Sequence, residues 1–167
     1  MENKTEQGNK TALAKEFAAR KFAEAKVGSH YLDVCQILQD DFGVEDQDIL
    51  AAALLHDTLE DTNTTHEELE QHFGKSVADI VEEVSHPKNY NDVQRKEYHE
   101  KLKHISTGGK LVKLADFASH LKPGPYLVNH PNYFAQINDF LASCPDSKAK
   151  DYVFALVSDL EKQLKKD

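Results

Sequence analysis

The chemistry in this chain is concentrated where Leu54-Leu55-His56-Asp57-Thr58-Leu59-Glu60-Asp61 follows the apolar stretch Ile49-Leu50-Ala51-Ala52-Ala53. Such an apolar run reads as a buried helix segment. Charged side chains are seldom buried unless they are paired or bind a metal. If one helix continues through Asp61, positions 56, 57, 60 and 61 cluster on one side, because residues three and four apart are surface neighbours. That side then presents two metal-ligand types, His56 and Asp57, and two candidate acid–base carboxylates, Glu60 and Asp61. His30, in Ser29-His30-Tyr31-Leu32-Asp33-Val34, and Asp116, in Lys110-Leu111-Val112-Lys113-Leu114-Ala115-Asp116-Phe117, are further ligand types set in apolar periodic segments. His30, His56, Asp57 and Asp116 together offer two imidazoles and two carboxylates. This mixed nitrogen and oxygen set suits manganese, iron or zinc better than a thiolate-seeking ion. Each residue alone also fits a plain structural role, as an ordinary histidine near a helix start or a satisfied helix carboxylate.

The elements that must position these residues read as helices throughout. Leu13, Phe17 and Ala18 mark one face of a helix over about residues 9 to 26. Tyr31, Val34, Leu38 and Phe42 mark a second helix, stopped by Gly43. Asp46 is a candidate N-cap for the helix that ends near His56. Thr65 with Glu68 fits a capping box, and Gly74 ends that short helix. Ser76 opens the next, which His86-Pro87 breaks. Residues 93 to 104 and 109 to 121 predict two more helices, separated by Ser106-Thr107-Gly108-Gly109. Pro123-Gly124-Pro125 is a strong breaker. A last helix, about residues 146 to 166, carries the stripe Val153, Leu156, Val157, Leu160 and Leu164. No alternating segment is long enough for a strand, so the fold class is all-α. Tyr126, Tyr133 and Phe134 fit core packing or a wall for base stacking.

Length and charge bound the function. A chain of 167 residues reads as one domain with room for a proper core. The net charge of −9 argues against broad nucleic-acid or anionic-membrane binding. A small anionic substrate needs only a local basic cluster, which Arg20, Lys21, Lys110 and Lys113 could form. The longest apolar run, seven residues, is far too short to span a membrane. Met1 to Lys10 lacks the apolar core of a signal peptide. Cys35 and Cys144 have no zinc or disulfide spacing and read as reduced thiols of a cytoplasmic protein. Two histidine pairs are decoys. His99 and His104 are five residues apart and His66 and His72 six, whereas a helical metalloprotease pair needs four; all four read as surface residues.

The order His30, His56-Asp57, Asp116 resembles the HD-domain phosphohydrolases. Ala52-Ala53-Leu54-Leu55-His56-Asp57-Thr58-Leu59-Glu60-Asp61-Thr62, Phe73-Gly74, Ile80-Val81-Glu82-Glu83-Val84, Gln94-Arg95-Lys96 and Lys110 to Asp116 narrow the likeness to the hydrolase domain of RelA/SpoT-type enzymes. It is strongest to the stand-alone small alarmone hydrolases, including metazoan SpoT homologues, and covers roughly residues 12 to 140. It implies an HD-type helical bundle with one divalent ion, manganese, at His30, His56, Asp57 and Asp116. It further implies a cytoplasmic stringent-response activity, removal of the 3′-pyrophosphate from ppGpp and pppGpp. Arg20, Lys21 and Lys113 would neutralise the substrate's phosphates. Two departures fall at the substrate end. Lys26-Val27-Gly28-Ser29-His30-Tyr31 lacks the prolines that flank the first histidine in members. Members follow the last aspartate with Lys-Leu-x-Asn-Leu, where this chain has Phe117-Ala118-Ser119-His120-Leu121, which puts His120 at the substrate position of the asparagine. The alternatives are an HD-type hydrolase of another small phosphorylated nucleotide and a non-catalytic nucleotide-binding module.

Overall fold

A computed structural model describes residues 4–123 and 132–165, and among these it contains helices and no strand. Gly124 and Pro125 of the breaker, and the aromatic Tyr126, lie outside the described residues. The order is α1 (Lys4–Ala25), α2 (His30–Gln36) continued by a π-helical turn (Ile37–Asp41), α3 (Gln47–Leu55), α4 (Thr58–Asp61) and α5 (His66–Phe73). After these come α6 (Lys75–Val84), α7 (Asp92–Leu102), α8 (Thr107–Leu121), α9 (Tyr133–Ser143) and α10 (Lys148–Leu164).

Helix α3 is the axle. Leu50, Ala51, Ala52, Ala53, Leu54 and Leu55 are all buried, and α1, α2, α6 and α8 pack around it. Three successive alanines leave no apolar side chain to hold those helices off, so they approach closely. Asp46 caps α3, its carboxylate accepting from the backbone N–H groups of Asp48 and Ile49 at 2.9 and 3.2 Å. This satisfies two of the donors that a helix start leaves free.

A single helix through Asp61 does not form. Helix α3 stops at Leu55, and Asp57 adopts φ −94° and ψ 0° before the single turn of α4. The Thr58 hydroxyl donates to the carbonyl of Leu55 at 2.6 Å, and the Thr62 hydroxyl donates to that of Thr58. The Thr58 hydroxyl thus occupies the Leu55 carbonyl at the break, while the Thr58 carbonyl accepts both the hydroxyl and the backbone N–H of Thr62 at the end of α4. The break keeps His56, Asp57, Glu60 and Asp61 against one cavity without regular helical spacing.

Other boundaries follow their caps. Thr65 accepts from the Glu68 N–H, and Gly43 and Gly74 have φ of 72° and 88°, in the left-handed region that favours glycine. Asn91 and Gln94 make a reciprocal capping box, so α7 starts at Asp92. Ser106 caps α8 through the Gly109 N–H, and so the two glycines lie inside the helix instead of separating it from α7. A Cβ at Gly109 would come 2.6 Å from Glu83 Oε2, which explains glycine in that first turn. Helix α6 begins one residue before Ser76, after Gly74. On α1 the buried face is Ala14, Phe17, Ala18 and Phe22; Leu13 is exposed, one position off the stripe. Helix α9 has no counterpart in the sequence reading, although Ile137, Phe140 and Leu141 bury at helical spacing. In α10, Val153, Val157 and Leu160 are core residues and pack on α8 and α9. Among the described residues no helix is long and apolar enough to cross a membrane.

Removing the α3 cap tests this account. Asp46→Ala is expected to lower the unfolding free energy by about 1 kcal/mol, read as an earlier urea midpoint with an unchanged slope.

Candidate metal and catalytic site

A cavity of about 800 Å³ opens where α2, the α3–α4 break, α7 and α8 meet. His30, His56, Asp57, Glu60, Asp61, Lys113, Asp116 and His120 all line it. The first residue of α2 supplies His30, the turn between α3 and α4 supplies His56 and Asp57, and the inner face of α8 supplies Asp116.

Asp116 is the hub of this arrangement. It is buried, and its Oδ1 lies 2.9 Å from His30 Nε2, 3.2 Å from His120 Nε2 and 3.9 Å from His56 Nε2. Its Oδ2 accepts from Lys113 Nζ at 2.7 Å. Burial alone would raise the pKa of this carboxyl, but Lys113, His120 and His30 hold it well below the ordinary carboxylate value. Burial would likewise lower Lys113, and Asp116 lifts it well above its usual range.

His56 is prepared to bind at one nitrogen. Its Nδ1 meets the carbonyl of Ala53 at 2.8 Å, which makes Nδ1 the N–H donor and turns Nε2 toward the cluster. That Nε2 is buried without a hydrogen-bond partner. Asp57 Oδ1 is 3.1 Å away but out of hydrogen-bond alignment. Burial pulls the imidazole pKa down, yet Asp57 and Asp116 outweigh it and push it up to about 9. The same two carboxylates would serve a cation. Donor atoms of His30, His56 and Asp57 all lie within 4.8 Å of one another, as do those of His30, Asp116 and His120. An orphaned buried imidazole nitrogen amid two carboxylates and further imidazoles is a donor set that fits a divalent ion.

The two candidate acid–base carboxylates differ in environment. Glu60 is clamped by its neighbour His86, whose backbone N–H donates to Oε1 at 2.9 Å while Nε2 sits 2.9 Å from Oε2. Burial raises its pKa above the ordinary value. Asp61 is exposed, with a pKa raised by partial burial and by the Asp57 charge. Each therefore holds a proton to higher pH than a free carboxyl does, a property useful to a general acid.

The basic residues sort differently from the sequence reading. Lys113 lines the cavity, but Arg20 and Lys21 do not. Lys21 is engaged by Asn63 and Glu68, and Arg20 is exposed with its guanidinium 5.4 Å from the Phe17 ring centroid. Lys110 also points elsewhere, donating to the Ser143 carbonyl. Arg95 does line the cavity, with its guanidinium 4.9 Å from the Tyr90 ring centroid. Tyr90 in turn stacks on His86 at 4.2 Å. The reading of four surface histidines also changes. His99 is half-buried in the cavity wall and His66 is half-buried against Asp79, whereas His72 and His104 are exposed. Phe117 is buried, edge-on to Phe140 and Tyr133, and forms an apolar part of the wall. Arg95 stands in the Gln94-Arg95-Lys96 block that carries the resemblance, a sequence signal that marks it; nothing in the sequence singles out Tyr90.

With this geometry in hand, the family model described as HD domain matches residues 11–117. The matched span contains His30, His56, Asp57, Glu60, Asp61 and Asp116 and ends before His120. The guanosine-3′,5′-bis(diphosphate) 3′-pyrophosphohydrolase of Xenopus tropicalis is 50% identical over 95 residues, covering 56% of this chain and 53% of the relative. The Homo sapiens protein of the same description is 43% identical over 118 residues, covering 65% and 66%. The chain thus spans about half to two thirds of the length of these curated relatives. A solved structure described as a metazoan ortholog of SpoT that hydrolyzes ppGpp and plays a role in starvation responses aligns with a TM-score of 0.76 at 26% identity. The alignment covers 92% of this chain and 94% of that one.

The Asp116 hub makes a stability prediction. In metal-free protein at neutral pH, Asp116→Asn is expected to cost about 3–5 kcal/mol, because Lys113 is left as an uncompensated buried charge. A carboxyl with a depressed folded pKa stabilises above its unfolded value, near 3.9, and that stability is lost as pH falls toward the folded value. Denaturant titrations should therefore show the gap between wild type and variant narrowing below about pH 4. A gap under about 1 kcal/mol at pH 7, the size of a solvent-exposed pair, would contradict the hub.

Proposed function

The chain belongs to the HD-domain family, and from that premise we propose that it is a metal-dependent guanosine-3′,5′-bis(diphosphate) 3′-pyrophosphohydrolase, converting ppGpp to GDP and pyrophosphate. The observation that carries the reading is one cavity joining the orphaned His56 Nε2, the Asp116 hub, the Glu60–Asp61 pair and two cationic side chains. Similarity to relatives described as pyrophosphohydrolases of this nucleotide supports the substrate. In this reading one divalent ion, manganese, is held by His30, His56, Asp57 and Asp116. When bound, such an ion polarises a phosphoryl oxygen and acidifies water.

The chain's own residues supply the rest. Glu60 and Asp61 exchange the protons that hydrolysis needs, one taking a proton from the attacking water and the other returning one to the leaving 3′-oxygen. The His86 clamp fixes the direction in which Glu60 can act. Lys113 and Arg95 neutralise phosphate charge, Lys113 as a point charge and Arg95 with a planar fork. The Tyr90 ring, stacked with His86, lies at the same rim as Arg95 and adds an aromatic wall beside it. We read the whole chain as a single HD-type domain, acting in the cytoplasm with its buried cysteines reduced. Phe117, apolar where the resemblance implies a lysine, favours a second reading, another small phosphorylated nucleotide as substrate.

A nucleotide panel with manganese tests both readings. Pyrophosphate and GDP released from ppGpp support the first; release of phosphate from a different nucleotide, with ppGpp untouched, supports the second. His56→Ala should abolish both the bound ion, expected at about one per chain for a single site of this ligand type, and turnover. Glu60→Gln and Asp61→Asn should keep the ion and lower kcat by about 10²- to 10⁴-fold. Full metal content in His56→Ala, or unchanged turnover in both carboxylate variants, would remove these residues from the roles given.

A further inference from the structure

We propose that His120 is a fifth protein ligand to the ion held by His30, His56, Asp57 and Asp116, a role that rests on the metal centre of the reading above. His120 stands one helical turn after Asp116 on α8, so the two side chains share a face. Its Nε2 lies 3.2 Å from Asp116 Oδ1, and His30 Nε2 lies 2.9 Å from that same oxygen. The rings of His30 and His120 stack with centroids 4.4 Å apart, so their Nε2 atoms converge side by side. His30 therefore belongs to two sets of three donors, one with His56 and Asp57 and one with Asp116 and His120, each within 4.8 Å. Donors held at about 2.0–2.2 Å from one ion lie at most about 4.4 Å apart. Within each set the donors approach that limit, and because the two sets share His30, one ion for all five donors requires the sets to draw together around that imidazole.

The position has chemical consequences. Without the ion, His120 is one of the groups that keep Asp116 ionised, beside Lys113 and His30. An imidazole aimed at the ion, however, changes the donor set to three nitrogens and two carboxylates. Imidazole favours zinc, iron, nickel and copper, while carboxylate favours magnesium and manganese. His120 thus tilts the centre toward the nitrogen-preferring ions. It also lies on the cavity side of the cluster, partly exposed, where it occupies a position otherwise open to solvent or substrate.

Cobalt-loaded full-length protein, with protons retained only on histidine rings, tests the assignment by nuclear magnetic resonance. Rings bound directly to the paramagnetic ion give strongly shifted resonances. Three such sets are expected in wild type and two in His120→Asn. The zinc dissociation constant, measured by chelator competition, should rise at least about tenfold in the variant, since loss of even an indirect ligand partner costs about 10- to 100-fold. Cobalt bound in wild type with only two shifted sets overturns the role of His120 and leaves the four-residue centre standing. No cobalt uptake by wild type overturns the metal centre itself, and His120 with it. The wild-type count decides the question even if His120→Asn fails to fold.

Discussion

A carboxylate with almost no access to water sits at the meeting point of three helices, and Asp116 is affordable there only because four cationic or imidazole groups face it. Isolated burial of such a charge is prohibitive, and one partner is seldom enough. Lys113 satisfies one oxygen from the same helix, while His30 and His56 reach the other from α2 and the end of α3. The relative placement of these helices is thereby fixed by electrostatics as well as by packing. Any sliding of α8 along α2 and α3 would take the carboxylate away from His30 and His56 and leave it only Lys113 and His120 of its own helix. The core and the site are therefore one construction: the apolar face of α8 carries Val112, Leu114 and Ala115 into the interior, and Asp116 follows in the same turn.

The cavity wall opposite this hub has a different character. His86, Tyr90 and Arg95 form a stacked sequence on the segment from the end of α6 into α7, and His86 reaches back to Glu60. The Ser85 hydroxyl also contacts the carbonyl of His56, at 3.3 Å. The residues proposed to act on protons and the residues proposed to meet the nucleotide are thus tied to each other through a few bonds. Glu60 is oriented by its neighbours, whereas Asp61 is open to solvent, an asymmetry that a carboxylate pair uses to divide acid and base work.

Much of this was legible in the sequence, for identifiable reasons. Ligand types set in apolar runs mark buried charge, so His56 and Asp116 stood out, and caps such as Asp46 and Thr65 are local signals that tertiary packing left intact. What escaped depended on groups distant in sequence. At the break after Leu55 the Thr58 hydroxyl takes the Leu55 carbonyl, a bond that a periodicity argument does not weigh. The fate of Arg20 and Lys21 is decided by Asn63, Glu68 and Phe17, and nothing in α1 alone reveals them. Helix α9 follows a proline- and glycine-rich stretch whose breaking power masked the short periodic run beginning at Tyr133. His99 failed a spacing test for one motif and was therefore read as surface, although spacing along a helix says nothing of what packs over it.

The alanines of α3 carry a consequence for how this chain can drift over evolutionary time. Ala51, Ala52 and Ala53 have no exposed surface, and helices crowd them on every side. A larger residue there forces neighbouring backbones apart, and a glycine loosens the helix that presents His56. Mutational freedom along the chain is therefore steeply graded. It is nearly closed in the middle of α3 and wide on α7, where only Tyr98 and Leu102 are buried. Divergence among descendants of this sequence should accumulate on the α7 rim of the cavity, leaving the axle unchanged, so that the cavity's outer wall varies while the helix that carries His56 at its end keeps its ancestral sequence.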